Sequence, residues 1–236
     1  MNDADRPVPT PAEVAGRVAE IEARIAAACA AAGRSVDADP VTLIGVTKTF
    51  PLAYAESAVA AGLADLGENY AVDLADKADA AAEIGLDARW HFIGGLQRNK
   101  VKRLAGRVWL WHTIDRAALV DEIAKRDPGA RILVQVNTTD EAQKSGCAPS
   151  DAAALIDRAG EAGLRPLGLM TIGPTGPGGT AADPRPAFAL LRELGDTCGV
   201  AELSMGMSAD YELAVAEGAT MVRIGSAIFG PRTRPT

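Results

Sequence analysis

The chain has 236 residues, 48% of them hydrophobic and 23% charged, which suits one large domain or two small ones and excludes a disordered chain. A net charge of −7 without any block of like charge excludes a sequence-independent nucleic-acid surface, which needs clustered Lys and Arg, but leaves room for a small anion held by a few local positive groups. No apolar run approaches the roughly 20 residues of a membrane helix, and the N-terminus MNDADRPVPTPAEV lacks the basic-then-apolar order of a secretory signal, so the expectation is a cytoplasmic protein bound to neither membrane nor nucleic acid.

Residues 1–10 are polar and Pro-rich and read as a flexible tail ahead of a single domain over 11–236. From Pro11 to about Ala32 the apolar residues Val14, Val18, Ile21 and Ile25 recur at helical spacing, with Pro11 suited to the first turn and Gly33 to the end. Cys29, Cys147 and Cys198 form no CxxC pair and read as isolated thiols rather than a disulfide framework or a zinc site.

Beyond this helix, short apolar runs alternate with helical patterns. The strands expected are VTLIGVT (41–47), ADL (64–66), RWHFI (89–93), RVWLW (107–111), RILVQVN (131–137), LRPLGLMT (164–171), AELSM (201–205) and TMVRIG (220–225). Between them lie LAYAESAVAAG, YAVDLADKADAAAEIG, LQRNKVKRLAG, RAALVDEIAKR, SDAAALIDRAGEAG, ADPRPAFALLRELG and SADYELAVAEGA, each long enough for helical turns. Eight strands and seven intervening helices are the count of a (β/α)₈ TIM-type barrel, with the N-terminal helix as an addition packed outside. A doubly wound open sheet is the competitor, and ADL is the weakest strand. Gly173–Pro186 is too rich in Gly and Pro for helix or strand, and reads as either a mobile lid or an inert surface insertion.

Polar residues gather where the apolar runs stop, and in a barrel those ends share one face, where sites are built. Lys48 closes VTLIGVTK: either a snorkelling surface lysine, or an amine whose pKa falls beside apolar walls and becomes a nucleophile towards aldehydes. GENY (67–70) follows the second strand; Glu68 is placed to accept from a lysine and Asn69 to donate to a ring oxygen, unless the segment is an ordinary helix start. His91 reads equally as a satisfied core histidine or a site residue, and His112 ends the fourth strand; neither has a carboxylate at ligand spacing, so no metal motif results. Arg98 and Lys100 follow a glycine pair and are either solvated charge or an anion attractant. LSMGMS ends the seventh run, with a helix beginning near Ser208, and VRIGS ends the eighth with Gly225 and Ser226; loops after strands 7 and 8 are the recurrent phosphate cradle of barrels. Arg223, inside an apolar strand, needs a partner: a carboxylate across the barrel, or a heteroaromatic nitrogen.

Taken in order from about Val41 to Gly230, VTKTFP, GENY, WHFIGGLQRNK, the KSG within 143–147, GLMTI and LSMGMSADYELAVAEGATMVRIGSAIFG resemble the pyridoxal phosphate homeostasis protein family, also called PLP-binding proteins. The resemblance implies the barrel fold of the alanine racemase N-terminal domain and pyridoxal 5′-phosphate (PLP) as cofactor. It implies Lys48 as the Schiff-base lysine, Arg223 facing the pyridine nitrogen, Asn69 near the ring, and Ser208 with the Gly225–Ser226 backbone on the phosphate. The loop after Ile172 departs from the family in length and content, so lid behaviour is not carried over.

Three functions are compatible with these residues: a carrier for intracellular PLP homeostasis without substantial turnover, a PLP-dependent amino-acid racemase, and a lysine-dependent aldolase acting on a phosphosugar. The extent of the resemblance sets the aldolase aside. Racemisation needs acid/base groups on both faces of the substrate carbon; in alanine racemases the second is a tyrosine from an added β domain of a partner subunit. This chain ends eleven residues after Gly225, so no such domain is expected, and of Tyr54, Tyr70 and Tyr211 only Tyr70 sits near a strand end. An arginine opposite the ring nitrogen also disfavours its protonation and weakens the electron sink. The expectation is therefore a non-catalytic, monomeric cofactor carrier whose partners are PLP and the apo-enzymes that receive it.

Overall fold

The computed structural model describes residues 7–139, 141, 144–174 and 182–231. Eight parallel strands, β1 (Thr42–Val46), β2 (Asp65–Glu68), β3 (Arg89–Phe92), β4 (Leu110–Ile114), β5 (Arg131–Gln135), β6 (Arg165–Met170), β7 (Glu202–Met207) and β8 (Met221–Ile224), follow one another around a closed barrel. Pairing of Thr42 with Met221 through Gly45 with Ile224 joins β1 to β8 and rules out the open sheet. Such strands are covered on both faces and so read as continuous apolar runs.

The helices α2 (Leu52–Ala60), α3 (Ala71–Glu83), α4 (Val101–Leu104), α5 (Ala117–Arg126), α6 (Ala152–Glu161), α7 (Arg185–Cys198) and α8 (Tyr211–Ala216) occupy the successive crossovers, and α9 (Ser226–Phe229) follows β8. The main core lies between barrel and helices, where Leu66, Phe92, Trp111, Val134, Leu169, Phe188 and Val222 are buried. A smaller apolar plug of Ile44, Leu110, Leu133, Met170 and Met221 fills part of the barrel interior.

The N-terminal helix α1 (Pro11–Ala31) starts with a complete capping box, in which Thr10 and Glu13 satisfy each other's backbone N–H groups. Its stripe of Val14, Val18, Ile21 and Ile25 is buried against α2, α8 and α9, over the outside of the β8–β1 closure. Each of these four side chains contributes about 1.5–3 kcal/mol on burial. Arg17 donates to the Ile228 carbonyl at 2.7 Å and Arg34 to those of Val215 and Ala219, which pins the helix along its length. Of the expected tail, residues 1–6 lie outside the described residues, and the Pro9 carbonyl accepts from Ser57 Oγ.

Four boundaries differ from the sequence reading. The fourth strand runs three residues later than RVWLW, so His112 lies in its middle and not at its end. Gly67 and Glu68 belong to β2 rather than following it. The helix near Ser208 begins at Tyr211. The Gly/Pro-rich loop ends earlier than expected because Arg185 and Pro186 form the first turn of α7, where a proline lacks nothing that the helix needs; residues 175–181 of that loop lie outside the described residues.

Candidate functional site

The strand order places the expected residues around one arc of the barrel mouth. Lys48 follows β1, and β1 is flanked by β2, which leads into Asn69, and by β8, which leads into Gly225 and Ser226. Ser208 follows β7, one strand further round.

Lys48 is half-buried on a turn whose backbone is held from below. Thr47 N–H donates to the Gly67 carbonyl at 3.0 Å, and the Thr47 carbonyl accepts from Phe50 N–H at 3.1 Å and from Lys77 Nζ at 2.9 Å. Thr47 Oγ1 donates to Glu68 Oε1 at 2.8 Å, an oxygen that also accepts from Lys77. The lysine beside Glu68 is thus Lys77 of α3, a residue the sequence did not single out. Burial pushes the Glu68 carboxyl above its ordinary value, against the pull of Lys77 and Thr47. Directly after Lys48, Thr49 takes φ +70°, the left-handed region that costs a β-branched residue strain. The clamp on Thr47 is what over-determines this turn.

Asn69 lies next to a cavity of about 140 Å³ in the mouth, lined also by Gly94, Thr113, Gln135, Asn137, Lys144 and Thr171. Its side-chain Oδ1 is buried without a hydrogen-bond partner, as is Glu68 Oε2. A buried orphan acceptor of this kind is costly unless something else completes it. Lys144 donates to the Gly173 carbonyl at 2.6 Å and pairs with Glu141 at 2.8 Å. Gly94 fixes the cavity wall, since a Cβ there would stand 1.9 Å from the Asn69 carbonyl oxygen, whereas one on Gly95 would meet nothing within 4 Å. Gly94→Ala is expected to destabilise the protein by about 1–3 kcal/mol and to lower Tm by several degrees, with Gly95→Ala neutral; equal melting curves for the two would contradict this packing.

Ser208 and Ser226 converge, with Oγ to Oγ at 3.4 Å. Between them and the end of β1 lies Gly225, buried at φ −113°. A Cβ on Gly225 would make only ordinary contacts, 3.4 Å from Val46 Cβ and O, so the protein's own packing does not demand glycine there.

Arg223 is 5% exposed, level with Ile44 in the register and below the mouth. Its Nη1 donates to Ser204 Oγ at 2.6 Å and its Nη2 to the Thr171 carbonyl at 2.8 Å. Both partners are neutral, and among the described residues no carboxylate pairs with it, so the cross-barrel salt bridge is not the arrangement present. Burial lowers its pKa to about 10, which leaves it cationic at neutral pH.

Other candidates fall outside this arc. Arg98 is exposed and faces Glu122 at 3.4 Å, and Lys100 lines a surface groove with Tyr70 and Gln97. His91 and His112 are buried inside the barrel, 2.9 Å apart between Nδ1 and Nε2. The sequence reading missed Ser204, Thr171, Gln135 and Lys77; Ser204, as the one hydroxyl within the inward-facing set of LSMGM, was the available signal.

Comparison with known proteins places the chain among relatives. The family described as alanine racemase, N-terminal domain, matches residues 20–233. The chain is similar to the pyridoxal phosphate homeostasis protein of Pseudomonas aeruginosa, 42% identical over 228 residues that cover 93% of this chain and 96% of that one. It superposes on PipY of Synechococcus elongatus, solved with PLP bound, at TM-score 0.77 and 30% identity, over 92% of this chain and all of that one. Alanine racemase from Corynebacterium glutamicum shares the fold, at TM-score 0.62 and 16% identity, over 94% of this chain and 62% of that one.

Proposed function

The chain belongs to the pyridoxal phosphate homeostasis proteins, and from that premise we propose that it holds PLP on Lys48 and carries it between donors and apo-enzymes without turning over amino acids at an enzymatic rate. The observation that carries the reading is the arc itself: Lys48 after β1, Asn69 after β2, and Ser208, Gly225 and Ser226 after β7 and β8, above a buried Arg223.

The residues fit the group. When bound, PLP supplies an aldehyde that a primary amine captures and a ring that can withdraw electrons. Lys48 is the amine delivered to the mouth by an apolar strand. The hydroxyls of Ser208 and Ser226, with the backbone N–H groups of Gly225 and Ser226, offer donors to a phosphate. The orphan amide of Asn69 is available to a polar ring substituent. Arg223, a cation at neutral pH, presents N–H donors where a pyridine nitrogen would accept, and a donor that cannot be deprotonated keeps that nitrogen unprotonated. The ring is then a weak electron sink, which favours storage over carbanion chemistry.

Tyr70, 52% exposed beside Asn69, is the side chain on which a racemase reading would depend. The protein loaded with PLP is expected to show no racemisation, decarboxylation or transamination on a panel of L- and D-amino acids above about one turnover per second, the low end of common enzymes. Faster turnover, lost in Tyr70→Phe, would replace the carrier by the racemase.

A further inference from the structure

Inside the barrel, five side chains from five strands make one unbroken hydrogen-bonded line. Asp65 Oδ1 of β2 lies 2.9 Å from His91 Nε2 of β3, and His91 Nδ1 lies 2.9 Å from His112 Nε2 of β4. His112 Nδ1 lies 3.0 Å from Ser204 Oγ of β7, which accepts from Arg223 Nη1 of β8 at 2.6 Å. All five residues are buried, His112 and Ser204 completely.

With both rings neutral, the chemistry of the two ends sets the direction in which the line donates. A guanidinium only donates and a carboxylate only accepts. Ser204 Oγ therefore takes the Arg223 bond and gives its own hydrogen to His112 Nδ1. His112 then carries its proton on Nε2 and donates to His91 Nδ1, and His91 carries its proton on Nε2 and donates to Asp65. Each ring nitrogen is used once. A second proton on His91 would turn His112 to the other tautomer, with Ser204 Oγ accepting from both His112 and Arg223. Burial above all, with the neighbouring Arg223 charge, holds His112 well below the ordinary histidine value. Asp65 is pushed up by burial but held below its usual range by hydrogen bonds from Arg89 and His91. The other charges on the line are Arg89, bidentate on Asp65, and Asp210, whose field reaches Arg223.

Two other roles do not suit the line. It cannot conduct protons to the mouth, because its last member does not release one. The donors are also strung out rather than convergent, and among the described residues no group of three or more His, Cys, Asp or Glu could hold a metal ion.

We propose that Asp65, His91, His112 and Ser204 are positioning residues that aim Arg223, presenting its guanidinium to the cofactor's ring nitrogen in one fixed orientation. The proposal rests on the PLP reading above. It assigns the barrel interior a role in setting cofactor retention, with Asp65 acting from four residues away.

His91 and His112 are the protein's only histidines, so imidazole ¹⁵N NMR has two rings to resolve. In the cofactor-free protein at neutral pH both are expected as Nε2–H tautomers. Ser204→Ala is expected to retain PLP about tenfold less tightly and to shift its visible absorption, with Ser204→Thr restoring both. Asp65→Asn, which removes the charge at the far end, should shift the absorption in the same direction, whereas Arg89→Gln should not shift it. Rings in the opposite tautomer, or variants at Ser204 and Asp65 with the wild-type absorption and retention, overturn the proposal. If Ser204→Ala does not fold, Asp65→Asn decides alone. Failure of the wild-type protein to bind PLP would instead overturn the functional reading, and the tautomers of the cofactor-free protein separate the two.

Discussion

Lys48→Ala is expected to leave a folded protein that stays colourless with PLP and takes up no borohydride-stable label. The turn survives the change because its backbone is held through Thr47, whose carbonyl accepts from Lys77 and Phe50 and whose hydroxyl is bound by Glu68. Alanine also removes a long side chain without touching the Thr49 conformation. What it deletes is the amine that the apolar strand β1 delivers to the mouth, and no other group on the arc formed by Asn69, Ser208, Gly225 and Ser226 is a primary amine. The measurement is a visible spectrum before and after borohydride, followed by peptide mapping, with circular dichroism to establish folding. Wild-type colour in the variant, or a label mapped to Lys77, Lys100 or Lys144, would remove the centre of the functional reading.

Strand ends are legible because an apolar run that stops at a polar residue marks both the end of the core and the start of the mouth; Lys48, Ser208 and Gly225 stand at such ends. The weak second strand is real, but its last residue, Glu68, is charged and points outward to Lys77, so the run ADL breaks off two residues early. The fourth strand was displaced for a related reason. Trp109 looks like strand, yet it is 44% exposed at the start of β4, with the Arg131 guanidinium stacked 3.6 Å over its ring. The interior of the barrel was nearly illegible. His112 and Ser204 are 92 residues apart and meet only because β4 and β7 face each other across a closed sheet. Nothing local to either residue carries that pairing. The short helix α9 escaped because four residues are too few for a helical period.

Pyridoxal, which lacks the phosphate, is expected to bind at least about 100-fold more weakly than PLP. The ring and aldehyde are common to both, so the reaction at Lys48 and any contact with Arg223 or Asn69 cancel in the comparison, and the difference isolates the loops after β7 and β8. There, Ser226 Oγ and Ser208 Oγ stand 3.4 Å apart, Ser226 exposed and Ser208 half-buried, and Gly225 carries no Cβ although nothing in the protein forbids one. Two hydroxyls and the Gly225–Ser226 backbone can share a dianion through charge-assisted bonds, roughly twice as strong as neutral ones. An alcohol in the same place offers one weak partner and no charge. Titration of both vitamers against the wild type and against the Ser208→Ala/Ser226→Ala double variant makes the assignment specific. The double variant should lose most of its preference for PLP and little of its affinity for pyridoxal. Equal affinities of the wild type for the two vitamers would place the phosphate elsewhere, and a preference that survives the double variant would assign it to the backbone at Gly225 alone.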